Sequence, residues 1–65
     1  MALTWDDPED IAFELVRAYP DADPLDLNFV DLHAMVLDLP GFEDEPDAAS
    51  EAKLEAIVLA WNDQL

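Results

Sequence analysis

The sequence predicts a mostly α-helical small domain of three helices. Three observations carry this expectation. Apolar residues recur at helical spacing in three segments, two proline-bearing acidic connectors separate them, and no long alternating strand pattern is present. Sixty-five residues make one domain at most, so 1–65 is read as a single unit. Three short helices on a small core suit a helix-turn-helix or winged-helix-like arrangement as well as a plain three-helix bundle. The pattern of residues does not separate these.

The N-terminal Leu3-Thr4-Trp5 suits a very short extended segment, with Trp5 packing on the bundle. Asp7-Pro8-Glu9-Asp10 is then a strong helix start. Asp7 suits the cap, Pro8 the first helical position, and the following acids favour the positive end of the helix dipole. Ile11, Leu15, Ala18 and Tyr19 share a face, while Asp10, Glu14 and Arg17 line another. Pro20 should end this helix near Tyr19.

Pro20-Asp21-Ala22-Asp23-Pro24 reads as a connector, in which Asp23-Pro24 suits the start of a short helical turn. The second helical pattern begins near Asn28. Phe29, Leu32, Val36 and Leu39 share one face; Asp31, Met35 and Asp38 share another. Pro40-Gly41 stops it. Phe42-Glu43-Asp44-Glu45-Pro46-Asp47 forms the second acidic connector, with Phe42 as its anchor into the core. Asp47 or Ser50 is expected to cap a third helix. There Leu54, Ile57, Val58, Trp61 and Leu65 make the clearest amphipathic stripe in the chain.

Seventeen residues are Asp or Glu and only Arg17 and Lys53 are basic, for a formal net charge of -15. Such acidity is compatible with disorder only when hydrophobicity is low, and here 52% of residues are apolar. The chain therefore reads as a folded domain with an acidic coat. A domain of this size buries only about 60% of the surface its unfolded chain exposes. Self-repulsion reduces its stability further. Stability should improve with salt, or with acid down to roughly pH 5.

The charge also sorts partners. Nucleic-acid binding gains its energy by neutralising phosphates with cations, which this chain almost lacks. An anionic membrane would repel it, and no apolar run approaches the ~18 residues of a membrane span. The start has no basic n-region and no apolar h-region, so no signal peptide is visible. The absence of cysteine excludes disulfides and thiolate-held zinc or iron–sulfur clusters, and it favours the cytoplasm. A basic protein surface, or a cation, is the natural counterpart of this field.

Catalysis finds little support. A nucleophilic triad would have to combine Ser50 with His33, with nothing to mark an oxyanion hole, and a single Gly forbids a glycine-rich phosphate loop. Carboxylates are abundant, but acid–base work needs one held in a cleft. No enzyme and no catalytic residue are expected. Hard-cation binding is the better chemical reading. Three acid clusters are available: Asp6, Asp7, Glu9 and Asp10; Asp21, Asp23 and Asp26; and Glu43, Asp44, Glu45 and Asp47 with Glu51 beyond. None is an EF-hand loop, because counting from Asp21 the required Gly and Glu positions hold Asp26 and Leu32. Any such site is expected to be carboxylate-only, exposed and weak. His33 reads as half-buried at a helix margin, and Trp61 as core. Met35 suits either an adaptable exposed contact or a partly buried one. The acidic surface as a docking face is the strongest functional reading, since charge complementarity steers association.

The chain also closely resembles the IscX family, small acidic proteins associated with bacterial iron–sulfur cluster assembly. The resemblance runs from Leu3-Thr4-Trp5 through Ala18-Tyr19-Pro20-Asp21-Ala22-Asp23-Pro24 and Phe29-Val30-Asp31-Leu32-His33. It continues through Asp38-Leu39 and Phe42-Glu43-Asp44-Glu45-Pro46 to Glu51-Ala52-Lys53-Leu54-Glu55-Ala56-Ile57 and Trp61. The resemblance implies a modified winged-helix fold and docking to a basic patch of the cysteine desulfurase IscS. It also implies weak binding of ferrous iron (Fe2+) on the acidic face, and a role as regulator or iron adaptor.

By position, Asp21, Asp23, Asp31, Glu43, Asp44, Glu45, Asp47 and Glu51 match acids of the family pattern. Candidate iron ligands are Asp21, Asp23, Glu43, Asp44, Glu45 and Asp47. Candidate partner contacts are those acids with Asp31, His33, Met35 and Glu51. Met35 stands where relatives often carry a large aromatic, and Ala49-Ser50 replaces a Ser-Asn pair. A monomer is expected. Two alternatives differ in kind: an iron carrier that works without the desulfurase, and an acidic DNA mimic.

Overall fold

The computed structural model describes residues 2–65. The expected helices are present: α1 (Pro8–Ala18), α2 (Phe29–Leu37) and α3 (Glu51–Asp63), with 3-10 turns at Pro24–Asp26 and Pro46–Ala48. The Cα radius of gyration is 10.3 Å, close to the roughly 11 Å of a compact chain of this length, so the acidic coat does not expand the fold.

The helix boundaries follow from side chains at their starts. Asn28 Oδ1 accepts from Asp31 N at 2.8 Å and caps α2. Ser50 Oγ accepts from Lys53 N at 3.3 Å and caps α3, leaving Asp47 in the 3-10 turn. The Asp23 side chain caps the turn at Pro24, accepting from Leu25 N at 3.0 Å. Asp7 departs from expectation. It occupies the cap position of α1 but makes no side-chain cap bond. Its Oδ2 instead accepts from Thr4 N and Thr4 Oγ1, both at 3.2 Å, because a turn from Thr4 to Asp7 brings these donors nearer.

The core is built from Trp5, Ile11, Ala12, Leu15, Leu32, Val36, Leu39, Leu54, Ile57 and Trp61. The closest helix pair is α1 with α3, and α2 packs across both. Three expected stripe residues fall outside. Ala18, at the last position of α1, is exposed. Phe29 lies at the α2 margin and stays partly exposed, and Leu65 lies beyond the end of α3 and is exposed. Phe42 is half-buried against the core, as its expected anchoring role requires.

Among the described residues there is no hairpin to serve as a wing. Sheet-like pairing there consists of one parallel bridge between Leu3 and Phe42. Leu3 N donates to Gly41 O, and Glu43 N donates to Leu3 O, each at 2.9 Å. Gly41 makes the reversal after α2 possible with φ 84°, a conformation that costs a side-chain-bearing residue more. Pro40 and Pro46 flank the pairing and lack the N–H that would extend it.

Candidate functional site

The bridge places the second acidic connector against the N-terminal segment, and Trp5 turns that contact into a clamp. Trp5 is 1% exposed. Its ring stacks on His33, with centroids 5.2 Å apart and planes 17° from parallel. It meets Phe42 edge-on at 4.8 Å. Trp5 Nε1 donates to Glu45 O at 2.7 Å, and Trp5 N donates to Asp44 Oδ2 at 3.0 Å. His33 Nε2 donates to Pro46 O at 2.8 Å. The core's other tryptophan differs. Trp61 is fully buried, and its Nε1 has no hydrogen-bond partner among the described residues. Trp61 fills space, whereas Trp5 fills space and holds a loop.

Each connector residue from Gly41 to Pro46 thus has a named attachment. Leu3 holds Gly41 and Glu43 by their backbones, Trp5 holds Phe42, Asp44 and Glu45, and His33 holds Pro46. Phe42 and Asp44 are half-buried while Glu43 and Glu45 are exposed. The chain bends at Asp44, between these two exposed acids. Asp47 follows, exposed, in the 3-10 turn. Among the described residues no hydrogen bond or ion pair engages the carboxylates of Glu43, Glu45 or Asp47.

Asp44 is different from its neighbours. Besides Trp5 N, it accepts from Glu45 N at 2.8 Å through Oδ1. The Trp5 and Glu45 backbone donors hold its carboxyl below the usual carboxylate range. Slight desolvation opposes this and Lys53 adds a smaller pull. Lys53 itself pairs with Asp6 at 3.1 Å, tying the start of α3 to the N-terminal segment.

The structure brings His33, Asp44 and Glu45 together around Trp5. It places the other sequence candidates elsewhere. Asp21 and Asp23 lie exposed on the connector between α1 and the first 3-10 turn, where Asp23 is occupied as a cap. Asp31 is exposed in the first turn of α2, and Glu51 in the first turn of α3. Met35 is half-buried beside Tyr19, Ala34, Leu37 and Asp38, lining a shallow groove. Among the described residues, no three His, Asp or Glu side chains converge in a metal-holding group. The six candidate iron ligands therefore do not form a preset cage, and two of them, Asp23 and Asp44, already accept backbone hydrogen bonds.

The residue that sequence reading undervalued is Trp5, expected to pack but not to hold the connector. Its partners lie 39 and 40 positions away, so no local pattern announces them. The brief extended character of Leu3-Thr4-Trp5 is the single local hint.

No helix among the described residues is long and apolar enough to cross a membrane. The family model described as iron-sulphur cluster assembly matches residues 3–65. An uncharacterized protein of Pseudomonas aeruginosa is 46% identical over 61 residues, covering 94% of this chain and 92% of the relative. The family comprises accessory, non-catalytic assembly factors. The match over nearly the whole length places this chain in the iron–sulphur cluster assembly family, the IscX family, with a role in cluster assembly.

Proposed function

We propose that this protein docks by its acidic face on the cysteine desulfurase IscS in the cytoplasm and regulates it, with ferrous iron held loosely on the same face. The observation that carries the reading is the division of labour in the second connector. Its backbone and Asp44 are spent on the fold, which leaves Glu43, Glu45 and Asp47 displayed on a held segment. A net charge of -15 supplies long-range attraction to a basic surface. Asp21, Asp23, Asp31 and Glu51 add to that field, and Met35 offers an adaptable apolar contact at the groove near Tyr19.

Iron enters as a passenger of this surface. Without a converging ligand set, carboxylates attract a hard cation chiefly as a field, and the ion keeps much of its water. Docking would bring such an ion to the desulfurase without a cage to open.

Titration of the desulfurase at stepped salt concentrations tests the docking. Micromolar-range binding that weakens steadily with salt is expected, and no binding at low salt sinks the reading. Ferrous titration followed by amide NMR tests the iron. Diffuse shifts that magnesium reproduces are expected of a field. Saturable shifts confined to a few residues would instead favour a carrier independent of the desulfurase.

A further inference from the structure

We infer that Trp5 is the positioning residue of the docking face: it presets the backbone of residues 42–46, so that Glu43, Glu45 and Asp47 meet a basic partner already arranged. The inference rests on the docking proposal above and adds to it the device that shapes the surface.

Trp5 reaches three connector residues through three different parts of itself. The ring edge-packs on Phe42, the backbone N–H holds Asp44 Oδ2, and the indole N–H holds Glu45 O. His33, stacked on the same Trp5 ring, holds Pro46 O. None of these bonds uses a carboxylate of Glu43, Glu45 or Asp47, so the clamp orders the acids without neutralising them. Ordering matters because these like charges repel. A loose connector would spread them and would have to be gathered when the partner arrives, at a cost in loop entropy. A clamped one has met that cost on folding. Net charge controls the encounter rate, while fit at contact controls the residence time. The clamp should therefore act on dissociation.

Two variants keep the charge and probe the clamp separately. Trp5→Phe keeps an aromatic ring in the core but removes the donor to Glu45 O. His33→Phe keeps a ring against Trp5 but removes the donor to Pro46 O, at a half-buried position outside the buried core. Each is measured by far-UV circular dichroism for the helices, by backbone 15N relaxation over residues 41–48, and by association and dissociation rates on the desulfurase at fixed salt. The expected result is retained helices, a more mobile connector, an unchanged association rate, and dissociation faster by about threefold to tenfold, the effect of one lost hydrogen bond. A connector that stays as ordered as in the parent overturns the inference. So does a mobile connector with an unchanged dissociation rate. If Trp5→Phe fails to fold, His33→Phe alone decides. Should the parent protein not bind at low salt, the docking proposal fails on its own, and the relaxation data then decide whether Trp5 orders the connector.

Discussion

The two acidic connectors look alike in sequence, each a run of Asp or Glu broken by proline, yet they are held by different means. The first, between α1 and α2, makes its hydrogen bonds locally and reaches the rest of the fold by apolar packing. Ala22 N donates to Tyr19 O, Asp26 N to Asp23 O and Leu25 N to Asp23 Oδ1, all within three residues, and Pro24 is buried beneath. The second is held across the chain by Leu3, Trp5 and His33. The turn of the first connector is nonetheless seated on α3 through buried Pro24, so apolar packing rather than cross-chain hydrogen bonding ties it to the fold. The second is instead fastened by hydrogen bonds to a buried tryptophan. The difference teaches that acid content does not rank these segments as binding surfaces; their anchoring does.

The contrast breaks most visibly at Trp5. Trp5→Ala removes both a core filler and the clamp, and truncating a buried tryptophan costs about 3–5 kcal/mol. That is comparable with the whole stability of a domain this small, so loss of the cooperative thermal transition in circular dichroism is expected. The matched change in the first connector, Leu25→Ala at 67% exposure, should shift stability by no more than about 0.5 kcal/mol. A folded Trp5→Ala protein with near-parental stability would show that the clamp is not anchored as described.

Asp44→Asn sharpens the comparison through pH. The backbone donors of Trp5 and Glu45 hold the Asp44 carboxyl below its ordinary value of 3.8 in the folded protein, so their contribution is present above that value. It is lost as pH falls through the depressed folded value. Parent stability should therefore lose the Asp44 contribution as pH falls below about 4. The Asn variant should be less stable at pH 7 and lack that acid-side decline. Urea midpoints collected from pH 7 to pH 3 check this, and superimposable profiles for the two proteins would contradict it.

Smaller effects are expected where bonds are local or exposed. Asp23→Ala loses a cap on a three-residue turn and should cost at most about 1 kcal/mol, with 15N relaxation changed only near residues 21–27. Lys53→Met breaks the ion pair with Asp6, whose side chain is 78% exposed, and should change stability by less than about 0.5 kcal/mol. A larger loss would mean that the pair shares in the clamp through the N-terminal segment.

Much of the fold was legible in residue order. Pro8, Asn28 and Ser50 mark the helix starts, and Ile11, Leu15, Leu32, Val36, Leu54, Ile57 and Trp61 fall where helical spacing puts a core. These signals are local, which is why they could be read. Asp7 misled because its cap position was right while its carboxylate found nearer donors in Thr4. The site was less legible. Asp44 is indistinguishable by type from Glu43 and Glu45, and only the fold, by bringing Trp5 to it, turns one of three neighbouring acids into a structural group. Met35 and Tyr19 meet at a groove for the same reason, through the crossing of α1 and α2.

The most direct test reverses three acids in each connector and compares them at equal net charge. Glu43, Glu45 and Asp47 are changed to Lys in one protein and Asp21, Asp23 and Asp26 in the other, with Asp44 left intact in both. Affinity for the desulfurase is then measured at several salt concentrations. Reversal in the clamped connector should weaken binding at least about tenfold more than reversal in the first, since close opposed charges couple more strongly than the distant field. Equal losses in the two proteins would contradict the account and leave only bulk charge.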